Sequence, residues 1–284
     1  MDLTHPATFS KARRFDPSAP APAQGALAAS AAIICLNEAA CIGQCLESLR
    51  DFAEIVVVDS GSSDATLAIV DEFTRRGFPI RLLKQAWLGY ALQKQFALDQ
   101  ATQPWVFSID ADEWLDEALR ASLPRLMTAD EAVAGWKVRR SLTLYGRSKP
   151  VSRWTRPEHI LRLVRRGRAR FDPSLIVHEG LVAEGETPIA RHGLLRHERA
   201  LPLDEQMKKE IAYARLKAEQ RLQQGRKPSA LKLLFNPPIY FLRLFFWNRF
   251  FLCGSAGFIH AATGAVYSLM TEAMHRQLYY ARRS

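Results

Sequence analysis

Cysteine is scarce. The 284 residues hold four, Cys35, Cys41, Cys45 and Cys253, which is no disulfide framework in a chain of this length. Cys41 and Cys45 are four apart and share a helix face, but no nearby His or Cys pair completes a zinc set. Buried thiols of a reducing compartment are therefore expected. Residues 1–30 lack an apolar core of signal length, so no signal peptide is expected there; the Ala/Pro-rich stretch PSAPAPAQGALAAS reads as a disordered lead-in. No glycine-rich turn follows the first apolar run, and no Gly-Lys-Ser/Thr phosphate loop occurs. Both absences argue against a dinucleotide dehydrogenase or a P-loop ATPase. Internal repeats and recognisable RNA- or DNA-binding motifs are missing too, and no nucleic-acid partner is expected.

What is present is ordinary in bulk and unusual in charge. Hydrophobic content of 48% and charged content of 24% exclude wholesale disorder. A formal charge of +10 predicts an anionic partner. From Ala31 the pattern alternates strand and helix. Ala31–Leu36 is a continuous apolar run of the kind buried on both faces of a sheet. Helical spacing of Ile42, Cys45, Leu46 and Leu49 follows it, then the β-branched EIVVVD of Glu54–Asp59. A helix carrying Leu67, Val70 and Phe73, a strand over Pro79–Leu83, a helix over Tyr90–Ala101 and a strand over Trp105–Ile109 come next. Leu115, Leu119, Leu123 and Leu126 mark another helix. This order predicts an α/β fold with a mainly parallel, helix-covered sheet.

Ligands of such sheets bind beyond the carboxyl ends of the strands. The residues there are Asn37 and Glu38, Asp59 and Ser60, and Asp110 and Asp112. Asp-x-Asp alone is commonly a solvated turn or a helix cap. Behind three aligned strand ends in a basic chain, it suits Mg²⁺ or Mn²⁺ shared with a diphosphate.

Four ordered segments, IICLNEAACIGQCLESL, EIVVVDSGSSDAT, GYALQKQFAL and WVFSIDADEWL, resemble family 2 glycosyltransferases with the nucleotide-sugar-binding GT-A fold. Within that family the chain is most similar to the bacterial lipopolysaccharide-core glucosyltransferases. The resemblance covers about Ala31–Leu126 closely and runs more loosely to about residue 200. It implies that Asn37 and Glu38 border the nucleoside, and that Asp59 accepts a hydrogen bond from the uracil ring. It places Lys94 near the diphosphate, Asp110 at the ribose and metal, and Asp112 on the metal. Relatives usually carry Asn after that lysine, where this chain has Gln95.

Beyond Asp130 the composition turns basic. Between Lys137 and Arg170 Glu158 is the only acid among a dozen arginines and lysines, with Trp136, Tyr145 and Trp154 interleaved. A solvated face is the plain reading of such a run; arginine forks also suit an acceptor bearing phosphates or carboxylates. Sugar transfer with inversion needs a general base for the acceptor hydroxyl. The short strand ending in Val177-His178-Glu179 resembles the relatives' Val-His-Glu, which points to Glu179 as base, with Asp172, Glu184 and Glu186 as rivals. His178 is a candidate third metal ligand, whereas His192 and His197 read as surface or packing residues. Leu203–Gln224 reads as an amphipathic helix. Phe250–Met270 carries no Asp, Glu, Lys or Arg and is long enough to cross a bilayer. The nearby Arg243 and Arg249 favour a helix pair lying in the interface; internal packing and a true span are the alternatives.

The expected organisation is a lead-in over 1–30, a GT-A catalytic domain over 31–200 and a helical membrane-associating tail over 201–284. Within the catalytic domain, 31–128 is the donor half and 129–200 the acceptor half. The expected activity is metal-dependent, inverting transfer of a hexose from a UDP-hexose, with glucose favoured. The acceptor is an anionic lipid-linked saccharide such as the lipopolysaccharide inner core, met peripherally at the cytoplasmic face of the inner membrane. A catalytically idle GT-A module that binds a nucleotide or glycan is the alternative.

Overall fold

The computed structural model describes residues 26–141, 144, 155–172, 180–197 and 203–282. The expected lead-in up to residue 25, and the candidates His178 and Glu179, lie outside the described residues. Three βα units open the fold: β1 (Leu27–Cys35), α1 (Ile42–Ser48), β2 (Phe52–Asp59), α2 (Thr66–Arg75), β3 (Ile80–Lys84) and α3 (Tyr90–Asp99). Then follow β4 (Trp105–Asp110), β5 (Trp114–Leu115), α4 (Glu117–Met127), β6 (Gly135–Arg140), β7 (Glu158–Arg165), β8 (Ala169–Phe171), β9 (Leu181–Ala183) and β10 (Leu195–Arg196). β1 starts four residues before the expected boundary, because Leu27 already pairs with Phe52.

One eight-stranded sheet has the order β3-β2-β1-β4-β7-β6-β10-β5. β1 is parallel to both β2 and β4, and β2 to β3. From β7 outward the sheet is mixed: β7 is antiparallel to β4 and to β6. β8 and β9 form a separate ribbon. This parallel half joined to a mixed half is the expected GT-A-like arrangement. Alternation along β2 divides the core in two. Ile55 and Val57 pack with Ile42 and Leu46 of α1, Phe73 of α2 and Leu119 of α4; Val56 and Val58 pack with Ala91, Ala97 and Leu98 of α3.

Register then decides where the chemistry lies. Cys35 pairs with Asp59 and Ile34 with Asp110, so the carboxyl ends of β1, β2 and β4 form one edge with Asn37, Asp59 and Asp110 side by side. The carboxyl-terminal region is helical: α5 (Leu203–Gln223), α6 (Ala230–Leu242), a π turn over Arg243–Trp247, a 3₁₀ turn over Phe250–Cys253 and α7 (Gly254–Ala281). The 32-residue helical stretch Phe250–Ala281 is long and apolar enough, by length and composition, to cross a membrane.

Candidate active site

Asp59 terminates β2 almost fully buried, and its carboxylate organises the next loop. It accepts hydrogen bonds from Gly61 N–H at 2.9 Å and Ser62 N–H at 3.1 Å, and from the Ser62 hydroxyl. The Cys35 thiol also donates to it, at 3.7 Å. Burial, then the Asp59 charge, pushes that thiol up to about 12, so it is an inert packing group as its position suggested. Across the loop Asn37 sits at φ 57°, a left-handed geometry that Asn tolerates. Its amide oxygen accepts from Ser63 N–H at 2.8 Å, and Glu38 N–H donates to the Thr66 hydroxyl at 2.8 Å. The pair expected beside the nucleoside thus fixes the loop that follows β2. Gln93, fully buried, joins that loop to the one before α3: its amide donates to the Ser60 hydroxyl at 3.0 Å and to Gln85 O at 3.1 Å.

At the end of β4 the two aspartates face different partners. Lys94 Nζ is 2.7 Å from Asp110 Oδ1, and Arg162 of β7 is 2.8 Å from Oδ2. Burial pushes the Asp110 carboxyl up, but Lys94 and Arg162 outweigh it and hold the group well below the usual carboxylate range. Arg162 also reaches Glu113, whose carboxylate is fully buried, at 2.8 Å, and Arg140 of β6 is 2.9 Å from the same group. Burial opposes the Arg162 charge, yet Glu113 and Asp110 keep the guanidinium protonated far beyond its ordinary range. Asp112 instead meets His197, whose Nε2 lies 3.3 Å from Oδ2. Burial raises the Asp112 carboxyl and the bond to His197 more than offsets it, leaving a net lowering.

His197 arrives there through a short chain of local causes. Asp116 caps α4 by accepting from Leu119 N–H at 2.8 Å, and the same oxygen accepts from Leu194 N–H at 3.0 Å. That contact seats β10 against β5, with Arg196 opposite Trp114, which carries the next residue, His197, toward Asp112. His197, expected as a surface or packing histidine, is thus partly buried and paired with Asp112. Sequence reading also missed Arg162, Arg140 and Glu113 as one network, since nothing in a run of basic residues marks which of them turns inward.

Among the described residues no three His, Cys, Asp or Glu side chains converge to hold a metal ion. Asp112 nonetheless offers the carboxylate oxygen that Mg²⁺ or Mn²⁺ takes alongside the oxygens of a diphosphate, with the His197 imidazole beside it as a nitrogen donor. Among the described residues the buried His197 Nδ1 meets no hydrogen-bond partner. Topology separates the base candidates. Glu186 bridges Val133, beside the start of β6, and Glu184 N–H donates to Arg168 O. Both lie at the edge where β4 begins, opposite Asp110. Asp172 is at the other end of the β8–β9 ribbon, where its N–H donates to Gly180 O at 3.3 Å. Gln95 faces away from the carboxylates: it accepts from Phe171 N–H at 2.7 Å and donates to Asp99 at 2.6 Å. The departure from Asn at this position thus serves packing of α3 on the ribbon.

Residues 30–177 match the family described as glycosyl transferase family 2. The lipopolysaccharide core biosynthesis glycosyltransferase LpsC of Rhizobium meliloti (strain 1021) is 52% identical, over 86% of this chain and 90% of its own length. An uncharacterized glycosyltransferase of Rickettsia felis is 28% identical, over 81% of this chain and 83% of its own. Among solved structures, the mannosyltransferase PcManGT of Pyrobaculum calidifontis, in complex with GDP-Man and Mn²⁺, is 18% identical with a TM-score of 0.48, over 94% of this chain and 78% of that one. With a family match across more than half of its length and a 52% identical relative along most of it, the chain belongs to glycosyl transferase family 2 and is a glycosyltransferase.

Proposed function

We propose that the protein transfers a hexose, with glucose from UDP-glucose as the favoured donor, onto an anionic lipid-linked saccharide of the lipopolysaccharide core. The observation that carries this reading is the carboxyl edge of β1, β2 and β4. There Asp59, Lys94, Asp110, Arg162, Asp112 and His197 gather on one rim. The name of the Rhizobium meliloti relative supports the acceptor class.

Each residue has a task in this reading. Asp59 and the loop it pins receive the uracil ring. Lys94 and Arg162, held in place by Asp110, present positive charge to the diphosphate. Asp112 and His197 hold the divalent cation. When bound, that cation supplies charge neutralisation of the departing diphosphate. The base removes the acceptor hydroxyl proton, the freed oxygen bonds to the anomeric carbon from the opposite face, and UDP leaves with the bonding pair; the configuration inverts. Glu179 is proposed as that base on the strength of the resemblance, and the placement of Glu184 and Glu186 at the opposite edge favours it over them. The apolar helical tail supports peripheral attachment at the cytoplasmic face of the inner membrane.

The test is turnover of a panel of UDP-hexoses on core-truncated lipopolysaccharide, with Mg²⁺, Mn²⁺ or EDTA. Transfer from UDP-glucose that requires a divalent ion and gives the β-linked product is expected. Retained anomeric configuration, or unchanged turnover in EDTA, contradicts the mechanism.

A further inference from the structure

Helices α5, α6 and α7 enclose a polar cleft of about 330 Å³. Three cations line it, Lys217 and Arg221 from α5 and Arg243 at the end of α6, against one carboxylate, Glu272. Glu272 is already committed. Its Oε1 lies 2.9 Å from Arg221 and accepts from the Asn236 amide at 2.7 Å, and the side chain is buried. Among the described residues no carboxylate pairs with Lys217. Burial, with the charges of Arg221 and Arg226 beside it, holds the Lys217 ammonium below its usual range. Arg221 is thus matched by Glu272, while Lys217 and Arg243 leave two positive charges in excess, which suits the cleft to an anion.

The cleft does not stand alone. Ile239 and Arg243 also line an open groove of about 620 Å³ whose other walls are Leu242, Phe246 and Trp247. Those three side chains are more than half exposed. Arg243 stands at the seam, its guanidinium 4.7 Å from the Tyr240 ring. A soluble anion would use only the cleft, and a neutral lipid only the groove. An amphiphile with a phosphate head and an acyl chain uses both. Helix α5 links this place to the catalytic rim. Lys209 is close enough to Asp112 to help lower its carboxyl, and the ring of Tyr213 is 6.2 Å from that of Tyr90. Lys217 and Arg221 follow on the same helix, roughly 12–18 Å from Lys209 at 1.5 Å per residue.

We propose that the cleft between α5, α6 and α7 binds the phosphate of an anionic membrane lipid, one whose head group carries no compensating ammonium, and that its acyl chain lies along the adjoining groove. The bound lipid sets the height and orientation of the catalytic rim above the bilayer. This deepens the membrane attachment proposed above and rests on it.

The purified full-length protein is titrated with short-chain phosphatidylglycerol below its micellar concentration, followed by tryptophan fluorescence and calorimetry. Phosphatidylcholine of equal chain length and inorganic phosphate are run in parallel. Phosphatidylglycerol should saturate at least about tenfold more tightly than either, as expected when one charge-assisted contact is gained. Lys217→Gln should weaken it about ten- to hundredfold on the same grounds, while Lys217→Arg retains binding. Arg243→Gln, at the seam, should weaken it as well. UDP affinity, measured on the same preparations, should stay at the wild-type value in Lys217→Gln. That result reports an intact fold and keeps this question apart from the donor site, whose own failure would appear as absent UDP binding in the wild type. Equal affinity for phosphatidylcholine, or undiminished binding in both Lys217→Gln and Arg243→Gln, overturns the proposal. Inorganic phosphate binding as tightly as phosphatidylglycerol overturns the assignment to a lipid.

Discussion

Asp59 and Asp110 end the two strands that flank β1, but one is held by loop N–H groups and the other by cations, and this difference separates the effects of removing them. Asp59→Ala takes away the acceptor that pins Gly61 and Ser62. UDP should then bind about ten- to hundredfold more weakly, the loss of one hydrogen bond to a charged group. Amide exchange in the following loop should rise in the same variant, and unchanged UDP affinity would reduce Asp59 to a structural carboxylate. Arg162→Met leaves Asp110 and the fully buried Glu113 short of a partner. Breaking such a buried network costs about 3–5 kcal/mol, with Arg140 and Lys94 still present to keep the loss near the lower bound. Thermal or denaturant unfolding reads this directly. The pH dependence has a definite sign. Asp110 is depressed in the folded state, so its stabilisation is complete above the unfolded value of about 3.9 and is lost as pH falls from there toward the folded value. In Arg162→Met that acid loss should be smaller. Asp59, Asp110 and Asp112 stood out because they sit at or just past the end of an apolar strand run, whereas Lys94, in the middle of α3, was pointed to only by the family resemblance. His197 was not legible, since 85 residues separate it from Asp112 and the β5–β10 pairing and the Asp116–Leu194 contacts bring them together.

At the scale of elements, β1, β2 and β4 are legible for a physical reason: strands buried on both faces read as continuous apolar runs. β5 and β10, two residues each, are too short to leave any periodicity, yet they deliver His197. In the tail, Pro237 and Pro238 lie inside α6, where they remove two backbone donors, and the chain widens into the π turn soon afterward. No hydropathy pattern anticipates that turn, which carries the exposed Phe246 and Trp247. Helices α6 and α7 approach closely at Gly264. A Cβ there would stand 2.5 Å from Leu244 Cδ1 and 2.9 Å from Tyr240 Cε1. Gly264→Val should therefore force α6 off α7, at the ~1–3 kcal/mol typical of overpacking. Protease cleavage within the tail should rise, with UDP binding unchanged. Wild-type protease resistance in that variant would mean the helices yield without separating.

For the molecule as a whole, the proposed membrane attachment would draw on both the +10 charge and the apolar tail. Basic residues near an anionic surface contribute about 1 kcal/mol each and are screened by salt, whereas exposed Leu231, Leu234, Phe246 and Trp247 bury apolar area that salt does not weaken. High salt should release only part of the protein from membranes and detergent should release all of it, as sedimentation would show; complete release by salt alone rules out an apolar anchor. The tail is also part of the fold. Ala214 and Ala218 of α5 are buried, and Arg156 N–H donates to Asn248 O while its guanidinium stacks 4.3 Å over Trp247. In the proposed reading, a donor diphosphate at the rim meets a cation held by Asp112 and His197. Calorimetric titration of UDP into the wild type, His197→Ala and Asp112→Asn, each with Mn²⁺ and with EDTA, tests it most directly. Affinity in the wild type should fall sharply in EDTA, and both variants should show weak binding that Mn²⁺ no longer improves. Equal UDP affinity with and without Mn²⁺ in the wild type, or full Mn²⁺ enhancement in His197→Ala, would contradict the account.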